Sequence, residues 1–188
     1  MSRKGFTLIE LVLATALGAL VLIALTNLAE PLARAQARTT REQTAQAGVG
    51  AAMLWTNRAL REASWIGSPR ASGGASDRLE GCRNAAPSPD GAGVALDPVR
   101  PARWFALCVK DGRLYRHEGD GCPPAYSCGA GAADAFGSGA EGTGFSASFT
   151  RASAFSATID VAMTATSHGS AASARTSIAV AAAAGTNQ

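Results

Sequence analysis

The sequence predicts an α+β protein in which a long N-terminal helix, membrane-spanning in its first half, packs on an antiparallel β-sheet of about five strands. Three observations predict this class. An apolar run with a single charge extends from Phe6 to Leu28. Apolar residues at helical spacing follow between Val49 and Ala63. Beyond residue 103 the pattern changes to the alternation of β-strands, interrupted by turn dipeptides and glycine-rich segments.

The apolar run is long enough to cross a membrane. As a helix it would be about 35 Å long, compared with about 30 Å for the hydrocarbon core of a bilayer. Arg3 and Lys4 precede it. Basic residues stay on the cytoplasmic side of a membrane, so everything after Leu28 is expected to lie outside the cytoplasm.

Glu10 is the one charged residue in this run. A carboxylate near the centre of a membrane helix costs about 2.5–3.5 kcal/mol, so it calls for a purpose and a partner. Three simpler readings compete: Glu10 snorkels to the membrane surface, the run is a plain single-span anchor, or it is a secretory signal. The last would use a small-x-small cleavage site, with cutting after Ala35 or Ala37.

The motif Gly5-Phe6-Thr7-Leu8-Ile9-Glu10 resembles the class III signal of type IV pilins and their pseudopilin relatives. The resemblance implies that a prepilin peptidase cuts between Gly5 and Phe6 and methylates the new Phe6 amine. It also implies that Glu10 pairs with the Phe6 amine of a neighbouring subunit. Buried together, an ammonium and a carboxylate would relieve each other's desolvation. The implied partners are the peptidase, other pilin or pseudopilin subunits, and an inner-membrane assembly platform.

A second segment, from Asn57 to Gly67, is similar to the end of the long helix in PilW-like minor pilins and in the J-type pseudopilin of type II secretion. It favours a minor pilin that initiates filament assembly or lies at the tip. Three alternatives stay open: a minor pseudopilin of a type II secretion system, a major pilin, and an adhesive or DNA-binding tip module. The expected location is the inner membrane, crossed once, and then an extracellular or periplasmic filament.

The chain is accordingly divided into four parts. Residues 1–5 form the leader, residues 6–30 the transmembrane and filament-core helix, and residues 31–67 its continuation into the globular domain. Residues 68–188 form a loop-rich antiparallel β-sheet domain. The formal net charge of +3 falls to +1 when Arg3 and Lys4 leave with the leader. A net charge this small does not indicate nucleic-acid binding.

Secondary structure is predicted in detail for the exported part. Pro31 predicts a kink or a loosened turn near residues 27–31. The helix is expected to end at Gly67-Ser68-Pro69, followed by a long irregular connection over residues 68–102. Asp111-Gly112 predicts a hairpin between strands 103–109 and 113–117. Residues 129–144 are expected to form a flexible loop, and strands are predicted at 145–149, 157–165 and 175–181, with residues 167–173 connecting the last two.

Four cysteines lie in the exported part, and an even count in an oxidising compartment indicates two disulfides rather than a zinc site. The hairpin places Cys108 opposite Tyr115, about 20 Å along the strand from Cys122, so these two cysteines are not expected to bridge. Among the three pairings we favour Cys122–Cys128 with Cys82–Cys108.

No catalytic constellation, metal-ligand spacing or cofactor motif is found in the sequence, so no enzyme activity, cofactor or small-molecule substrate is expected. His117 and His168 are expected at the surface. Calcium on loop carboxylates is a weaker alternative, because no EF-hand pattern is present. The run from Gly137 to Gly142 matches G-x-G-x-x-G but lacks the flanking strand and helix of a dinucleotide site. The aspartates of the calcium alternative are Asp90, Asp97, Asp111, Asp120 and Asp134.

Overall fold

A computed structural model describes residues 7–69, 74–87, 94–96, 99–131, 134–136, 142–152 and 156–180. The chain divides into two compact units, Met1–Thr40 and Arg41–Gln188. One helix, α1, covers Leu8–Glu62 and contributes to both.

In the first unit, α1 exposes large apolar side chains on all of its sides. It qualifies by length and composition as a helix that could cross a membrane, and a helix that is apolar all round needs a lipid or protein environment. The helix is continuous through Pro31, so the predicted loosened turn is not present. The alternative, a kink of the helix near Pro31, stays a prediction. The exposed apolar side chains are Leu8, Ile9, Leu11, Val12, Leu13, Leu17, Leu20, Val21, Leu22, Ile23, Leu25, Leu28 and Leu32.

In the second unit, the end of α1 presents the predicted apolar stripe to the core. Val49, Ala52, Leu60 and Ala63 are buried, and Met53 packs beside them. The predicted end at Gly67 is wrong, because the helix ends at Glu62. Residues 65–68 instead form strand β1, whose backbone groups are satisfied by hydrogen bonds to a neighbouring strand.

A large antiparallel sheet has the strand order β1-β2-β5-β6-β7. The hairpin of β5 and β6 confirms the predicted register, with Lys110 opposite Arg113 and Cys108 opposite Tyr115. The expectation of an irregular connection over residues 68–102 is wrong in part, because that stretch contains three strands, of which β2 pairs with both β1 and β5. The strands of the large sheet are β1 Trp65–Ser68, β2 Arg78–Arg83, β5 Arg103–Lys110, β6 Arg113–Asp120 and β7 Asp134–Phe136, and β3 Ala85–Pro87 pairs with β4 Val94–Leu96.

The last quarter of the chain forms a separate small sheet in the order β10-β9-β8, instead of completing the large one. Its strands are β8 Thr143–Thr150, β9 Thr158–Ser167 and β10 Ser170–Ala179. The connection predicted over residues 167–173 is only the two-residue turn His168-Gly169, since both residues adopt the positive φ that tight hairpins need. β8 abuts the large sheet, where the Phe145 amide donates to the Gly112 carbonyl at 2.6 Å.

The core lies between the second half of α1 and the inner faces of both sheets. Alternate residues of each strand point inward, as the two-residue period of a strand requires. The large sheet contributes Leu79, Phe105, Leu107 and Leu114, and the small sheet contributes Phe145, Phe149, Ile159, Val161, Met163 and Ile178. The fold is therefore the predicted helix on antiparallel strands, divided over two main sheets.

Candidate functional site

The start of α1 holds Glu10 in a reciprocal hydrogen-bonded cap with Thr7. The Thr7 amide donates to Glu10 Oε2 at 3.1 Å, and the Thr7 hydroxyl donates to the same oxygen at 3.0 Å. The Glu10 amide donates back to Thr7 Oγ1 at 3.4 Å. This is the capping-box arrangement, which satisfies helix-start N–H groups that have no partner within the helix. This role of Glu10 was not predicted, although Thr7-Leu8-Ile9-Glu10 has the spacing of a capping box.

The cap fixes where the carboxylate lies relative to the predicted cleavage point. Its Oε2 is within hydrogen-bond distance of the backbone nitrogen of Thr7, the residue that follows Phe6. Gly5 and Phe6 themselves lie outside the described residues. A negative charge at a helix N-terminus is also favoured by the helix dipole. The geometry therefore directs the one carboxylate of the apolar segment toward the end at which a new amine is predicted.

Between Glu10 and Glu30 the helix carries no ionisable side chain. The two threonines in this stretch satisfy their hydroxyls within the helix: Thr15 donates to the Val12 carbonyl at 2.9 Å and Thr26 to the Ile23 carbonyl at 3.0 Å. Glu30 forms an ion pair with Arg34 one turn later. The hydroxyl groups of this segment are thus satisfied within the helix, as lipid or a dry helix bundle requires.

A second notable feature is the segment 121–131, called the strap below, which crosses the outer face of the large sheet. Cys122 is bridged to Cys82 and Cys128 to Cys108, with Cα–Cα distances of 6.1 and 6.0 Å. The favoured pairing of Cys122 with Cys128 and Cys82 with Cys108 is therefore wrong. The expectation of two disulfides is confirmed, and all four cysteines are consumed in them, which overturns the zinc alternative.

The register of β2 on β5 explains the correction. Cys82 lies opposite Trp104, whereas Cys108 lies opposite Arg78. The two cysteines are thus four residues apart along neighbouring strands, which is about 13 Å and too far to bridge. The strap instead follows the end of β6, and its Cys122 bonds to Cys82 while its Cys128 bonds to Cys108.

Tyr126 fixes the middle of the strap to the sheet. Its hydroxyl donates to Glu80 Oε1 at 2.7 Å, and its ring stacks on Trp104 at 5.8 Å. Burial, reinforced by the hydrogen bond to Glu80, raises the pKa of Tyr126 well above its ordinary range, so the phenol keeps its proton and continues to donate. Glu80, Ala106 and His117 lie side by side across the sheet, so the two residues that Tyr126 contacts flank the small Ala106.

His117 lies under the strap and is 5% exposed, so the expectation of a surface histidine is wrong. Its Nε2 accepts a hydrogen bond from the Gly129 amide at 3.3 Å, and its ring lies 4.9 Å from the Tyr126 ring. Burial lowers the pKa of His117. The neutral imidazole is therefore the form that anchors the strap. His168, by contrast, occupies the exposed hairpin turn as predicted.

We expect the protein to lose stability on mild acidification. Because the pKa of folded His117 lies below its ordinary value of 6.5, the unfolded chain binds the proton more readily. The stabilisation is complete above pH 6.5 and declines as the pH falls through that value. Thermal unfolding of the wild type and of His117→Gln at pH 7.5 and 5.0 tests this. Between these two pH values, the melting temperature of the glutamine variant should fall less than that of the wild type. An equal fall in both proteins would contradict the assignment.

The segment that resembles minor pilins, Asn57–Gly67, joins the helix to the large sheet. Glu62 Oε2 lies 3.2 Å from Arg83 Nε, and Glu62 Oε1 accepts from Arg58 Nε at 3.0 Å. The Arg83 guanidinium lies over the Phe105 ring, 5.8 Å from its centroid. These contacts hold the end of α1 against β2 and serve packing rather than chemistry.

Within the described residues, no group of three or more histidine, cysteine or acidic side chains is placed to hold a metal ion. Of the loop aspartates, Asp120 pairs with Arg103 at 3.5 Å, and Asp111 occupies the tight turn between β5 and β6. Asp90, Asp97 and the side chain of Asp134 lie outside the described part of the chain, as do residues 137–141 of the glycine-rich run.

Comparison with known proteins gives one match. Residues 1–26 match the family model of the prokaryotic N-terminal methylation motif. Neither the comparison with curated proteins nor the comparison with solved structures yields a significant match.

The motif and the long apolar helix that follows it support a type IV pilin-like class of protein. More particularly, its N-terminus carries the class III signal of type IV pilins, which implies processing by a prepilin peptidase and assembly with pilin subunits. Proteins with this motif are structural and typically non-catalytic. The signal and the apolar helix suggest a single-pass membrane anchor with the globular domain outside.

Proposed function

We propose that this chain is a minor pilin that acts in the initiation of filament assembly or at the filament tip. The observation that carries the proposal is the methylation motif at residues 1–26, whose apolar segment up to Leu28 has a single charge, Glu10, held at the start of α1. The resemblance of Asn57–Gly67 to minor subunits supports the choice of subclass. The domain behind the helix, closed by two disulfides, suits an oxidising extracytoplasmic location.

The proposed mechanism uses the same helix twice. In the inner membrane, its apolar side chains face lipid. In the filament, they face the helices of neighbouring subunits, and the carboxylate of Glu10 meets the methylated Phe6 amine of a neighbour. In a low-dielectric bundle, either charge alone would be strongly disfavoured, so the pairing selects one axial position of the incoming subunit. The role is structural and uses no catalytic residue or cofactor.

Replacing Glu10 should separate processing from assembly. Glu10→Ala is expected to be cleaved normally but to be lost from sheared filaments, because the neighbour's amine then has no buried counter-charge. Glu10→Gln keeps the capping geometry and removes only the charge, so it should fail in the same way. Thr7→Val weakens the cap and keeps the charge, so it should still assemble. Immunoblots of membranes and filaments measure both steps, and normal incorporation of the glutamine variant would contradict charge pairing.

The proposal is distinguished from its alternatives by abundance and by the phenotype of a deletion. A minor pilin should be present in filaments at a small fraction of the main subunit, and its loss should reduce the number of filaments. Loss of protein secretion with intact pili would favour the type II secretion pseudopilin, and a dominant filament band would favour a major pilin.

A direct measurement tests the class assignment. Intact mass and N-terminal sequencing of the protein from cells should reveal a chain beginning at N-methylated Phe6. A chain beginning at Gln36 or Arg38 would instead mean secretion of a soluble domain and would remove the assembly role.

A further inference from the structure

The small sheet ends at β10, and within the described residues no strand covers its outer edge. β10 pairs with β9 along its whole length. In a two-residue hairpin the residues flanking the turn, here Ser167 and Ser170, form a hydrogen-bonded pair, and such pairs alternate along the ladder. The backbone N–H and C=O groups of every second residue therefore point away from β9. These residues are Ala171, Ser173, Arg175, Ser177 and Ala179, and no described backbone group bonds to them on that side.

Apart from one charged side chain, Arg175, this edge lacks the usual devices that prevent strand addition. Natural edge strands are blunted by proline, lysine, bulges or short length. β10 is 10 residues long, contains no proline or lysine, and pairs with β9 in unbroken register. Apart from Arg175, its side chains are small or aliphatic. An additional strand could thus approach the full length of the edge.

An apolar groove lies on the core side of the same edge. It is lined by Met53, Leu54 and Asn57 of α1 and by Ala174 and Thr176 of β10, and it encloses about 250 Å³. Leu54 is 75% exposed, and Met53 and Asn57 beside it are half-buried. A strand added to β10 would place alternate side chains over this groove and cover Leu54.

The other side of the edge carries one positive charge, Arg175. No ion pair of Arg175 is found among the described residues, and the nearest acidic residue on β9, Asp160, accepts a hydrogen bond from the Ser177 hydroxyl. Opposite charges on neighbouring strands stabilise their pairing. The edge therefore matches a strand with apolar residues toward the groove and a carboxylate beside Arg175. A second copy of β10 has no carboxylate to offer.

We propose that β10 receives an extended, carboxylate-bearing segment of a different filament subunit, which joins the small sheet as a fourth strand. Main-chain hydrogen bonds would supply affinity, and the groove and Arg175 would supply specificity. The identity of the partner as a filament subunit rests on the function proposed above. The open edge of β10 is a feature of the structure and does not depend on that function.

The test uses the full-length chain in detergent and a labelled peptide of alternating threonine and valine with one central glutamate. Fluorescence anisotropy should show saturable binding. Ser173→Pro removes an outward N–H without breaking the β9 ladder and should abolish binding, whereas Ser173→Ala should bind normally. Arg175→Glu should weaken binding about five-fold or more. A peptide with lysine in place of glutamate should instead bind Arg175→Glu more tightly than it binds the wild type. Unchanged thermal unfolding of each variant excludes loss of fold.

Several results would overturn the proposal. These are no saturable binding to the wild type, equal binding by Ser173→Pro, or self-association that Ser173→Pro removes, which would make a second copy the occupant. Binding that appears only in a chain ending at Val180 would mean that residues 181–188 occupy the edge. Glu10→Ala should leave peptide binding unchanged, so failure of the edge and failure of the filament role are separate results.

Discussion

Gly5→Leu is expected to leave the leader in place, so that essentially no processed chain accumulates. The residue before the cut in the class III signal is glycine, and a branched side chain there would obstruct the peptidase site. Uncut chain keeps Arg3 and Lys4, which hold the N-terminus at the cytoplasmic surface. It also never acquires the free Phe6 amine that the proposed pairing needs. Intact mass measurement of membrane-extracted protein detects the retained leader directly.

A matched substitution in the same leader controls this result. Ser2→Ala changes a neighbouring small residue and should be processed like the wild type. Uncut Gly5→Leu should remain in the membrane fraction and be absent from filaments. Normal cleavage of Gly5→Leu would refute the peptidase assignment, even if the protein were still found at the cell surface by another route.

Removal of the Cys82–Cys122 disulfide is expected to cost more stability than removal of any single surface contact. The bridge spans 40 residues, for which the loop-entropy relation gives about 4 kcal/mol. The Cys108–Cys128 bridge spans 20 residues, and the same relation gives about 3 kcal/mol. Denaturant unfolding of the paired alanine variants measures both losses. A loss below about 1 kcal/mol in each would mean that the strap contributes little to the fold.

The pairing itself can be read by mass spectrometry of the unreduced protein. Trypsin separates Cys82, Cys108 and the strap, but it does not cut between Cys122 and Cys128, because that stretch contains no lysine or arginine. Chymotrypsin can cut after Tyr126 and resolve the two. Linked peptides containing Cys82 with Cys122 and Cys108 with Cys128 are expected. A peptide linking Cys122 to Cys128 would show that the strap is closed on itself.

The cysteine pairing of the strap could be predicted only in part from the sequence. The register of the β5–β6 hairpin was predicted correctly, because Asp111-Gly112 is a local signal that fixes which residues face each other. That register excluded Cys108–Cys122, and the structure agrees. The remaining choice depended on β2, whose six residues Arg78–Arg83 include one glycine and three charged side chains and therefore give a weak strand signal. The pairing of β2 with β5 is a non-local contact, and no local sequence pattern predicts it.

The burial of His117 follows from the same contact. Its position in β6 was predictable, but whether its side of the sheet faces water depended on the strap. The strap is held there by Cys82, Cys108 and Glu80, none of which is near it in sequence. The end of the helix was wrongly predicted for a similar reason, since residues 65–68 pair with a strand whose residues lie 12 to 17 positions farther along the chain.

By itself, the sequence determined the membrane-length helix, the signal around Gly5, Phe6 and Glu10, the apolar stripe up to Ala63, and the central hairpin. Each of these depends on residues close together in the chain. Only the tertiary structure decided the pairing of the cysteines, the division into two sheets, the covered face over His117 and the open edge at β10. These depend on which distant segments meet, and that is set by the total burial and backbone hydrogen bonding of the whole domain rather than by any local pattern.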